Sequence, residues 1–70
     1  MARQTMTLAA RLLAEEAAGV KRATIAEALG ISKRSVLNLL RGGRPKIGTA
    51  GRAARFLGVP LEDISNEWDK

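Results

Sequence analysis

Between Lys33 and Arg41 the chain reads KRSVLNLLR, which holds two arginines, an asparagine and a lysine. Projected at about 100° per residue, Arg34, Leu37, Asn38 and Arg41 share one face at i, i+3, i+4 and i+7, with Lys33 at its edge near the start. Val36, Leu39 and Leu40 cluster on the other side. An arginine guanidinium presents paired donors that chelate guanine O6 and N7. An asparagine amide pairs in the same way with adenine N6 and N7, and each good bidentate pair discriminates by about 1–3 kcal/mol. Leu37 is the apolar member of this face. It suits either a thymine methyl or half-burial against neighbouring arginine stems.

Cations outside that face suit phosphates, which position a protein on a polyanion without reading its sequence. Lys21, Arg22, Ser32, Arg44, Lys46 and Thr49 are the expected phosphate contacts, with Thr49 adding backbone N–H groups at a helix start. Arg52 and Arg55 fit this set or plain surface charge equally well. From Lys21 to Arg55 there are nine cations and one anion, Glu27, whereas Leu61 to Lys70 carries four anions and one cation. A concentrated basic zone on a small domain is the footprint of a polyanion partner. Charge alone fits a solvated surface equally well, so the motif must decide.

Composition narrows the function further. The chain has 70 residues, which corresponds to one domain, with no Cys and no His. Disulfides and thiolate metal sites are excluded, and the commonest general base and metal ligand is missing. An enzyme is therefore not expected, and no cofactor, metal or small-molecule ligand is indicated. No apolar run approaches the ~20 residues that cross a bilayer. The N-terminus lacks the continuous apolar segment of a signal peptide, so a cytoplasmic location away from membranes is expected.

These side chains must be positioned by helices, because no strand pattern, repeat or low-complexity segment occurs. A first helix is expected from a Thr5 or Thr7 cap to about Ala18, with Leu8, Leu12 and Leu13 as its stripe and Gly19 as its stop. A second covers about Arg22 to Leu29 and buries Ile25, Ala26 and Leu29. Thr24 and Glu27 have capping-box spacing, which allows a later start. Ser32 caps a third, about Lys33 to Arg41. GGRP at 42–45 is a loop. Thr49 is expected to cap a fourth helix that runs to Leu57 and closes at Gly58. Leu61, Ile64 and Trp68 recur at i, i+3 and i+7 in a fifth, with Pro60 at its start.

Gly30 falls inside the apolar pattern IAEALGISKRSVLNLLRG. A left-handed glycine there turns the chain without a Cβ penalty, drops Ile31 toward the core and lets Ser32 begin the next helix. Two short helices joined by a tight turn containing Gly form a helix-turn-helix, here spanning about residues 22–41. Small Ala26 four residues before Gly30, with Val36 and Leu39 six and nine after it, supplies the close packing that distinguishes the DNA-binding motif from a plain helical hairpin.

At these residues the sequence resembles the phage-repressor and Cro-like helix-turn-helix family, the XRE type. The likeness runs without gaps from Val20 to Ile64 and is most specific in IAEALGIS, in Arg41-Gly42 and in FLGVPLEDI at 56–64. It implies an all-α, lambda-repressor-like five-helix domain that binds operator DNA, usually as a dimer. Arg22 stands where the family often has Gln, Lys21 where it has Thr or Ser, and Glu15 where it commonly has Arg. Gly48 and Gly51 are unusual in the fourth helix. The expected function is a sequence-specific, double-stranded DNA-binding regulator: a small phage-type repressor on a palindromic operator. A homodimer is expected, with Leu61, Ile64 and Trp68 in residues 60–70 as the candidate interface; otherwise Leu61 and Ile64 pack on the chain's own core and Trp68 folds back. The alternative is an antitoxin or adaptor whose main partner is another protein. RNA is disfavoured by the scarcity of aromatic residues for base stacking.

Overall fold

The computed structural model describes residues 6–65. Five helices follow one another: α1 (Leu8–Ala17), α2 (Arg22–Leu29), α3 (Lys33–Leu40), α4 (Ile47–Leu57) and α5 (Leu61–Ser65). No strand occurs among the described residues, so the domain is all-α.

Local chemistry sets the helix starts. The Thr7 hydroxyl accepts a hydrogen bond from the Ala10 N–H at 3.0 Å and caps α1. Ser32 does the same for α3, accepting from the Ser35 N–H at 3.1 Å. Each cap satisfies one of the N–H groups that a helix start leaves without a partner. Thr5 lies outside the described residues. α2 starts from Lys21 with no side-chain cap, so the Thr24–Glu27 spacing does not act as a capping box.

The α4 start differs from the sequence expectation. Lys46, not Thr49, is the residue before the helix, and its backbone is extended. The Ala50 N–H reaches the Lys46 carbonyl at 2.8 Å and closes the first turn there. Thr49 is therefore the third residue of the helix and half-buried. A hydroxyl is dispensable at a solvent-exposed helix start because water can satisfy the free N–H groups.

Glycine ends α2 as the sequence requires. Gly30 adopts φ +69, in the left-handed region. Its N–H donates to the Glu27 carbonyl at 3.2 Å, and the Ile31 N–H donates to the Ala26 carbonyl at 3.0 Å. This double closure is a Schellman turn. The same pattern recurs after α1, α3 and α4. At three of the four ends it folds the next residue, Val20, Ile31 or Val59, down against the core.

The core is built from Leu8 and Leu12 of α1, Ile25, Ala26 and Leu29 of α2, Val36 and Leu39 of α3, Ala50, Ala53 and Ala54 of α4, and Ile64 of α5. α1 packs on α3, α2 on α3 and α4, and α4 on α5. The alanines of α4 and Ala26 of α2 are small, which lets these two backbones approach. Each large aliphatic side chain in this cluster contributes about 1.5–3 kcal/mol by leaving water. Leu13 is not one of them: it is 51% exposed. It follows Leu12 by one position, so α1 turns it off the narrow stripe that faces α3.

Candidate nucleic-acid interface

α3 is anchored from within. Val36 and Leu39 are buried, and Leu40 packs partly against the same cluster. A helix fixed along that stripe must turn its opposite face outward. Lys33, Arg34, Asn38 and Arg41 are all exposed there, and Leu37 is half-buried among them. Arg22 of α2 joins these five residues around one shallow, open depression. Both readings of Leu37 remain compatible with its half-buried place.

Asn38 also lines a second hollow, between α3 and the start of α4, with Ser35, Arg44, Lys46 and Thr49. Asn38 therefore stands on the ridge between two groups of cations and hydroxyls. Lys21, Arg44 and Lys46 are exposed. The Ser32 hydroxyl is occupied: besides capping α3, it donates to Ser35 Oγ at 3.1 Å. Arg22, Lys33, Arg34, Leu37, Asn38 and Arg41 thus border one hollow, Arg44, Lys46 and Thr49 border the next, and Asn38 belongs to both. Lys21 and Ser32 are exposed but line neither.

One ion pair forms among the described residues, between Arg22 and Glu16. Arg22 Nε donates to Oε2 at 2.9 Å and Nη2 donates to Oε1 at 3.3 Å. The hydrogen bond from Arg22 holds the Glu16 carboxyl below the usual carboxylate range, and the same bond raises the Arg22 guanidinium. The other cations from Lys21 to Arg55 are exposed, and no ion pair neutralises them among the described residues. This face keeps its positive charge.

Sequence reasoning missed Glu16. It lies six residues before Arg22, on the far side of the Gly19 turn, where no helical spacing rule links them. Arg52, which the sequence left open between phosphate contact and surface charge, has its guanidinium so close over Gly30 that a Cβ there would meet Nη1, a contact that no spacing foretold. Among the described residues no three His, Cys, Asp or Glu side chains converge as a metal site, and no helix is long and apolar enough to cross a membrane.

The surface of α5 is smaller than its sequence stripe suggested. Ile64 is 1% exposed and closed into the core, which removes it from any partner-facing surface. Leu61 is 46% exposed and stays available. Trp68 lies outside the described residues.

A capped helix packed across a glycine turn, with its outer face cationic, defines a helix-turn-helix DNA-binding domain. The sequence matches the helix-turn-helix family over residues 8–64, and the chain belongs to that family, in its XRE-type, Cro-like form. This is a family of DNA-binding transcription regulators. No curated protein and no solved structure gave a significant match.

Proposed function

We propose that the chain is a small phage-type repressor that binds a palindromic operator as a homodimer. In this reading α3 enters the major groove. Lys33, Arg34, Leu37, Asn38 and Arg41 meet base edges, and Leu37 covers a thymine methyl. Lys21, Arg22, Arg44, Lys46 and Thr49 hold the flanking phosphates, as backbone contacts do in this docking mode, and Ser32 joins them when its hydroxyl proton turns from Ser35 to the phosphate. The observation that carries the reading is the outward, unneutralised face of α3, with Arg34 and Asn38 exposed while Val36 and Leu39 are buried.

A single helix of this length reads only a few base pairs. Pairing two copies doubles the contacts and matches half-sites about 34 Å apart. Leu61 supplies apolar surface for such pairing on α5. Bound over a promoter, the dimer excludes polymerase by occupancy.

Selection of binding sites from a random duplex pool tests this directly. The expected result is a two-fold symmetric consensus whose affinity falls steeply with salt. Lys46→Ala should weaken all sequences alike and lower the salt slope by about one. Weak, sequence-blind DNA binding together with tight binding to another protein would contradict the repressor and favour the adaptor.

A further inference from the structure

Arg22 stands at the start of α2 with half of its fork already engaged. A guanidinium carries five N–H donors. Glu16 takes one from Nε and one from Nη2, which leaves three, on Nη1 and Nη2. The remaining end of the fork keeps the paired geometry that suits a phosphate or a base edge.

The surroundings of Arg22 oppose its position. It borders the same depression as Lys33, Arg34 and Arg41, all of like charge. An unpaired arginine there would be pushed away and would sample many rotamers. Glu16 offsets that repulsion and fixes the plane of the fork. It is the more enclosed partner, with 22% of its side chain exposed against 42% for Arg22, so it acts as the anchor and Arg22 as the presented group.

We infer that Glu16 is a positioning residue for DNA recognition: it holds Arg22 oriented beside α3, so that the phosphate bound by the free end of the fork fixes the register of α3 on a matching site, and an anion beside a polyanion site thereby raises specificity. This rests on the reading of α3 as the base-contacting helix. A surface carboxylate with no such role would simply repel DNA, and removing it would strengthen binding to every sequence alike.

The test compares dissociation constants for the selected duplex and for an unrelated duplex, using the full chain. Glu16→Gln should lower the ratio of specific to nonspecific affinity by about threefold, even though the added positive charge favours all DNA. Arg22→Lys keeps the charge but lacks the fork, and it should lower the ratio similarly. In an Arg22→Ala background, Glu16→Gln should leave the ratio unchanged. If Glu16→Gln raises both affinities equally in the native background, or still lowers the ratio when Arg22 is absent, the inference is overturned. A wild-type ratio of one would overturn the reading of α3 itself, and this inference with it.

Discussion

The backbone of Gly43 is seated against the carbonyl of Asn38: its N–H donates to that oxygen at 2.9 Å. A Cβ on residue 43 would come within 2.8 Å of the same oxygen and 3.3 Å of its carbon. Backbone atoms cannot swing aside as a side-chain tip can. The loop that carries Arg44 and Lys46 is thus tied directly to a residue of the proposed reading face, and only glycine allows the tie.

Gly43→Ala should therefore destabilise the domain by about 1–3 kcal/mol, the usual cost of an overpacked contact. Denaturant melts measure this. Unchanged stability would mean that the loop relaxes freely and that its tie to Asn38 is loose.

Gly51 makes the opposite case. It lies within α4 without a left-handed backbone, and a Cβ there would meet nothing within 4 Å. Gly51→Ala should stabilise the domain by about 0.5–1 kcal/mol, because alanine loses less chain entropy than glycine in a helix. A thermal melt of the variant should shift upward, and a downward shift would contradict the packing described for α4.

The Glu16–Arg22 pair sets a pH dependence. The Glu16 carboxyl is held below the usual carboxylate range by the Arg22 hydrogen bond. A carboxyl depressed by folding adds stability that is complete above its unfolded pKa and is lost as pH falls through its folded pKa. The difference in stability between the native chain and Glu16→Gln should stay constant near neutrality and shrink in acid, as the pH falls through and below the usual carboxylate range. Melts across that range read it out, and a difference that grows in acid would have the wrong sign.

Leu61 is the described apolar residue of α5 that faces outward. Leu61→Glu should convert the DNA-bound species from two chains to one in equilibrium sedimentation. Stability of the isolated domain should change by no more than about 0.5 kcal/mol, as for other surface positions. Two chains on the operator in this variant would place the dimer contact elsewhere.

Much of this architecture was legible because it is locally encoded. Gly30 marks a left-handed turn, Ser32 a cap, and the spacing of Val36 and Leu39 a buried stripe, so the orientation of α3 followed from its own residues. Ile25, Ala26 and Leu29 did the same for α2. Leu13 misled because an extra leucine beside the stripe looks apolar whether or not a neighbour covers it. Thr49 misled because hydroxyl chemistry marks a good cap, yet α4 begins without one. The Glu16–Arg22 pair and the seat of Gly43 on Asn38 come from chain paths across turns, which periodicity does not register. Packing of Ile64 on its own core was legible from the apolar stripe, whereas the outward turn of Leu61 depends on how α5 meets α4.

In the proposed docking the outer face of α3 touches base edges in the major groove. Replacing guanine by 7-deazaguanine in a selected site removes one major-groove acceptor and leaves the Watson–Crick pairing edge in place. At the guanine met by Arg34, the native chain should lose about tenfold in affinity, and an Arg34→Ala variant should be insensitive to the replacement. If the native chain binds every singly replaced site as tightly as the unmodified one, α3 does not read guanines through the major groove, and the account fails.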